Sequence, residues 1–152
     1  MKSKRSSQTV LSLTDGDRRL VLSVLGRQYP DAEPDDRDDW LLVMLEITRG
    51  GRTWRKTDPA LTTQDLKKLR RWILRLSRVG TPFKPRLGFI EPLLLFKVLE
   101  YSRAEIRIRV RVDYYDEYKD VPAEWYTDEK FIVDFSLDMA SLPDAIRTNG
   151  EW

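Results

Sequence analysis

The sequence predicts an α+β fold: a curled, mostly antiparallel sheet of about eight short strands, barrel-like or sandwich in form, with one main amphipathic helix and a short C-terminal helix. Three observations carry this expectation. Two turn signals, Asp15-Gly16 and Gly50-Gly51, each join apolar alternating stretches, which marks hairpins and therefore antiparallel pairing. One stretch, residues 62–78, repeats apolar residues at helical rather than strand spacing. Finally, 152 residues with 41% hydrophobic and 11% aromatic content suffice for one core, since a chain of this length buries roughly 70% of its unfolded surface.

Residues 1–8 are basic with no apolar run behind them, so they read as a disordered tail and not a signal peptide. Residues 9–147 form a single domain, and 148–152 a C-terminal tail. Residues 9–13 make a first strand, turned at 14–17; residues 19–25 follow with Leu20, Leu22 and Val24 on one face. Gly26 interrupts this strand as a bulge, and Tyr29-Pro30 stops it. Residues 31–39 contain six carboxylates in nine positions and no apolar side chain except Ala32, so they form an exposed loop. The block 40–47 places Leu41, Val43, Leu45 and Ile47 on one face and Trp40, Leu42 and Met44 on the other, which predicts a central strand covered on both sides. Gly50-Gly51 turns the chain into a strand over 52–57 with Trp54 pointing inward, and Asp58-Pro59 leads on toward the helix.

The helix opens on Thr62, with Asp65 at capping-box distance and Leu61 and Leu66 placed as a hydrophobic staple. Leu66, Leu69, Trp72, Ile73 and Leu76 form its apolar stripe; Lys67, Lys68, Arg71, Arg75 and Arg78 lie opposite, and Gly80 ends it. A brief strand over 87–90 stops at Glu91-Pro92, and the apolar run 93–99 suits a buried strand. Residues 105–113 give the cleanest alternation, Ile106, Ile108, Val110 and Val112 against Arg107, Arg109 and Arg111. A long loop rich in Tyr, Asp and Glu, residues 114–129, contains Pro122 and Trp125. Phe131, Val133, Phe135 and Leu137 form the inner face of the last strand, and Ser141-Leu142-Pro143-Asp144 opens the short helix that Asn149-Gly150 stops.

Chemistry is narrowed more by what is missing than by what is present. The 27 basic residues nearly cancel the 25 acidic ones, and a net charge of +2 implies no general attraction to nucleic acid or membrane. There is no cysteine and no histidine, so thiol chemistry, disulfides and the usual neutral-pH base are all excluded. No run approaches the ~18 apolar residues of a membrane span, and the expected location is the cytoplasm. Neither a nucleophile-elbow motif nor a phosphate-binding glycine loop occurs. Glu91 with Glu100 or Asp113 would be a conceivable carboxylate pair, but no spacing singles it out, and the expectation is a protein that is not an enzyme, without cofactor or metal. Asp31, Glu33 and Asp35 have the first three spacings of a calcium loop. Asp36 stands where its glycine belongs and Leu42 where its bidentate glutamate belongs, so an EF-hand is rejected. The arginine row 107, 109 and 111, with Tyr114 and Tyr115 nearby, allows contact with a single-stranded nucleic acid; the stronger expectation is a solvated face whose arginines pair across strands with carboxylates. Trp40, Trp54 and Trp72 read as core, Trp125 and Trp152 as exposed anchors.

The run Gly26-Arg27-Gln28-Tyr29-Pro30-Asp31, followed by Asp38-Asp39-Trp40-Leu41-Leu42-Val43, resembles the immunity-protein family paired with wall-associated toxins, the WapI family. The likeness continues through Trp54, Thr57-Asp58-Pro59, Leu61-Thr62 and helix residues Leu66, Leu69 and Trp72. It resumes at Phe89, Glu91-Pro92 and Leu94 and along residues 106–112. It implies a small cytoplasmic antidote that binds and stoichiometrically blocks a toxin domain, often a tRNA-cleaving nuclease. An acidic loop on a rigid sheet suits such a partner, because a nuclease presents a basic cleft. The expected docking surface is Asp31, Glu33, Asp35, Asp36, Asp38 and Asp39, joined by Asp116, Glu117, Asp120 and Trp125. The alternative is a stand-alone binding or scaffold domain with no toxin partner.

Overall fold

In the computed structural model, residues 8–27, 40–78, 80, 82–89, 94–112, 125–127 and 130–146 are described. The first four strands, β1 (Gln8–Asp15), β2 (Arg18–Arg27), β3 (Trp40–Arg49) and β4 (Arg52–Thr62), form an antiparallel sheet in sequence order. After helix α1 (Thr63–Leu76), a second antiparallel sheet runs β5-β6-β7-β9-β8. Its strands are β5 (Arg86–Leu87), β6 (Leu94–Tyr101), β7 (Glu105–Val112), β8 (Tyr126–Thr127) and β9 (Lys130–Asp138). A 3-10 helix, Met139–Ala145, follows. Of the two forms expected, two sheets around a shared core are found and a closed barrel is not.

Turn chemistry sets the first sheet. Asp15 pairs with Arg18 across a two-residue loop whose first residue, Gly16, has φ 59°. Arg49 pairs with Arg52 across Gly50 and Gly51, both at positive φ as a type I′ turn requires. The register then places Leu13, Leu20, Ile47 and Trp54 side by side, and behind them Leu11, Leu22 and Leu45, all on the inner face. The bulge expected at Gly26 is present: β2 slips register between Val24 and Gly26. β3 is central, as expected, but only one of its faces is sealed. Leu41, Val43, Leu45 and Ile47 are buried, whereas Trp40, Leu42 and Met44 are half-buried on the outer side. The reason is that α1 packs at the inner face, and an antiparallel sheet can leave its other face to solvent. β4 also runs further than its sequence suggested, through Asp58-Pro59 to Thr62. It is an edge strand and carries a register shift opposite Leu41 and Leu42, the two settings in which a strand tolerates proline.

The helix follows its sequence signals closely. The Thr62 hydroxyl accepts the amide of Asp65 at 3.1 Å, and the Asp65 carboxylate accepts the amide of Thr62 at 3.0 Å, completing the capping box. All five residues of the apolar stripe are buried. Trp72 packs on Phe96 of β6 with centroids 5.7 Å apart and donates its indole N–H to the carbonyl of Lys84 at 2.7 Å. The helix ends at Leu76, ahead of Gly80, which lies beyond the C-cap at Ser77 with φ 85°.

The second sheet alternates more strictly than the apolar run 93–99 implied. In β6, Leu94, Phe96 and Val98 face inward, Leu95 and Leu99 are half-buried and Lys97 is exposed. Asp15 accepts the amide of Ser136 at 2.9 Å, Arg18 donates to the carbonyl of Asp134 at 3.0 Å, and Trp54 meets Phe131 edge-on at 5.2 Å. β1, β2 and β4 of the first sheet thus meet β9 at Ser136, Asp134 and Phe131 in turn. Ile146 closes the far edge by pairing with Leu11 of β1.

Candidate functional site

The acidic segment enters and leaves the framework at a well-fixed place. It is rooted in β2 at Arg27 and in β3 at Trp40, neighbours at the end of the first sheet where Leu41 also pairs with Leu61 beside the helix cap. Asp31, Glu33, Asp35, Asp36, Asp38 and Asp39 themselves lie outside the described residues, as do Asp116, Glu117 and Asp120. The second segment is rooted at Val112 in β7 and at Trp125 ahead of β8. Trp125 packs on Phe131, and Phe131 on Trp54 near the β3–β4 turn. From Trp54 to Leu61 along β4 is about 20 Å at strand spacing, so the two segments are rooted at opposite ends of that strand.

Trp125 is not the exposed anchor expected of it. It is only 2% exposed and seals the core through its contact with Phe131, centroids 5.8 Å apart. A large aromatic ring released into water would forfeit that burial, so Trp125 contributes to the core.

Carboxylate–arginine pairing explains much of the arginine row. Arg109 grips Asp134 with two parallel bonds, Nε to Oδ1 at 2.8 Å and Nη2 to Oδ2 at 3.0 Å, across the β7–β9 ladder in which the two residues are directly opposed. Arg107 reaches the same carboxylate at 3.9 Å. The hydrogen bond from Arg109 holds the Asp134 carboxyl below the ordinary aspartate range; burial opposes the shift, and the charges of Arg109, Arg107 and Arg18 assist it. The same bond raises Arg109. Asp134 lies 25 residues from Arg109 in sequence, so only strand register could have revealed the pair. On the first sheet's outer face, Arg55 and Glu46 form a more exposed pair at 3.3 Å.

Among the described residues no three carboxylates gather to hold a metal ion. Of the conceivable acid pairs, Glu100 is exposed on β6 opposite Arg107, while Glu91 and Asp113 lie outside the described residues. No helix among the described residues is long and apolar enough to cross a membrane.

A sequence model of one protein family, the immunity protein WapI-like family, matches residues 11–148 and so spans the strands, the helix and both segment roots. The chain belongs to the WapI-like immunity protein family. Neither curated proteins nor solved structures provided a match. Several of the residues that carry the family likeness are the ones the fold uses as architecture: Gly26 at the bulge, Leu41, Trp54, Leu61, the cap at Thr62, and Leu66, Leu69 and Trp72 in the core. This framework fixes where residues 28–39 and 113–124 leave and rejoin the strands.

Proposed function

We propose that this protein is an antidote that binds one toxin domain and blocks it stoichiometrically, acting in the cytoplasm of the cell that makes it. Membership of the WapI-like immunity protein family over residues 11–148 is the observation that carries this reading. The docking surface is the segment holding Asp31, Glu33, Asp35, Asp36, Asp38 and Asp39, with Asp116, Glu117 and Asp120 as a second contact. The partner is a domain with a basic cleft, such as an RNA-cleaving nuclease. Concentrated carboxylates speed encounter with a basic partner and compete with its polyanionic substrate. Roots in paired strands support the reading, because a segment fixed at both ends loses less freedom on binding than a free tail. The chemistry requires no residue of this chain to act on a substrate.

The test is co-expression with the toxin domain encoded beside this protein's gene. Reversing Asp35, Asp36 and Asp38 to lysine should abolish protection and weaken binding by at least about a hundredfold, since like charges brought together across an interface cost several kcal/mol. The melting temperature should be unchanged. Protection that survives the triple reversal would overturn the acidic-segment mechanism. A neighbourhood with no toxin gene, and no binding to any such domain, would instead favour a stand-alone binding domain.

A further inference from the structure

We propose that the cleft between the end of α1 and the β6–β7 hairpin is a docking site for an acidic protein segment that presents one apolar side chain. The cleft has a volume of about 650 Å3, within the range of ordinary binding sites. Leu76, Phe83, Tyr101 and Met139 give it apolar walls, and Arg78 and Arg103 stand among its lining residues. Tyr101 is the large apolar side chain left most open among the described residues, 65% exposed, and it is held edge-on against Phe83 with centroids 5.0 Å apart.

The walls are tied in place before any partner arrives. The connector after the helix is pinned by the Trp72 indole on Lys84 and by the amide of Val98 donating to Pro85 at 2.7 Å. The hairpin is braced by the Ser102 hydroxyl, which accepts the amides of Ala104 at 3.2 Å and Glu105 at 3.1 Å. The amide of Met139 donates to Ala104 at 2.8 Å and closes the remaining side. A rigid cleft spares a partner the entropy of ordering it.

Charge decides what kind of partner fits. No carboxylate is found among the described lining residues, and neither Arg78 nor Arg103 forms an ion pair with another described residue. Lys84 and Arg75, also exposed, add positive charge on the helix side, while the exposed Glu100 and Glu105 line a neighbouring cleft that shares Tyr101 and Ser102. An apolar side chain flanked by aspartate or glutamate would fill the floor and meet the two guanidinium groups, whereas one flanked by lysine would be repelled. The apolar walls of Leu76, Phe83 and Met139 suit such a segment better than a nucleic-acid strand, which is held by a continuous cationic track. The site makes no use of residues 31–39, so its failure would leave the antidote reading standing, and the reverse holds too.

The experiment titrates the 15N-labelled full chain with acetyl-Glu-Asp-Phe-Asp-Glu-amide and follows backbone amide shifts. Saturable shifts confined to Leu76, Phe83, Ser102, Arg103 and Met139 are expected. Replacing both cations, Arg78→Glu with Arg103→Glu, should weaken binding about tenfold and let acetyl-Lys-Arg-Phe-Arg-Lys-amide bind in its place. Tyr101→Ser offers an independent variant at a mostly exposed position, with about threefold weakening expected from the lost apolar contact. Absence of shifts at millimolar peptide would overturn the proposal, as would equal binding by the double variant with its melting temperature intact. Tighter binding of oligouridylate to the same amides would also overturn it and assign the cleft to nucleic acid.

Discussion

Replacing Asp134 by alanine tests the part of the structure that is least visible in the sequence. The variant removes the carboxylate that Arg109 holds with two bonds and Arg107 approaches at 3.9 Å. It leaves Arg109 facing Lys97 across the β6–β7 ladder with no carboxylate on its other side. Hydrogen bonds to charged groups contribute about 1.5–3 kcal/mol each at best. The Asp134 side chain is 16% exposed, but that of Arg109 is 41% exposed, so solvent screening reduces the whole pair to about 1–2 kcal/mol. For a domain of this size each kcal/mol moves the midpoint by about 2–4 °C, giving an expected loss of about 2–8 °C at pH 7. The sign of the pH dependence follows from the depressed folded pKa. The contribution is complete above the unfolded value of about 3.9 and is lost as pH falls through the lower folded value. Melting curves of the two proteins followed by circular dichroism should therefore be well separated at pH 7 and 5 and converge as the pH is taken down toward 2. Equal midpoints at pH 7, or a gap that persists undiminished at pH 2, would refute the reasoning.

Two further substitutions probe the cap and the buried tryptophan. Thr62→Ala removes the hydroxyl that accepts the Asp65 amide and should cost about 1 kcal/mol, seen as a lower urea midpoint with an unchanged slope. Trp125→Ala should cost about 3–5 kcal/mol through the space left beside Phe131. The fraction that stays folded should bind its partner as tightly as before; lost affinity at an unchanged melting temperature would restore Trp125 as a contact residue.

What was legible in the sequence was local. Asp15-Gly16 and Gly50-Gly51 specify turns through φ, Thr62 and Asp65 specify a cap through hydrogen bonding, and the helix stripe specifies a buried face through its period. Each of these signals acts within a few residues. The outer face of β3 is not legible in the sequence, because apolar Trp40, Leu42 and Met44 look alike whether covered or half-open, and only the placement of α1 decides. Asp58-Pro59 reads as a lead-in to the helix and not as part of β4, because the edge position of β4 is a property of the whole sheet. Trp125 reads as exposed because it sits in a stretch rich in Tyr, Asp and Glu, while its neighbours in space, Phe131 and through it Trp54, are apolar. The candidate docking residues were legible as a composition, six carboxylates in nine positions, and their framework roots only as strand ends.

The ties between the first hairpin and β9 have a consequence for how the chain matures. Asp15 and Ser136 are 121 residues apart, Arg18 and Asp134 are 116 apart, and Leu11 waits for Ile146. Synthesis at about 5–20 residues per second puts roughly 6–24 s between the emergence of the hairpin and that of the strand that covers it. Through that interval the outer edge of β1 is bare, and the closure that ends it joins two remote parts of the chain, the slow class of folding event. A chain cut short before β9 never completes the core around Trp54. The core around Trp54 is therefore finished only after β9 has been made.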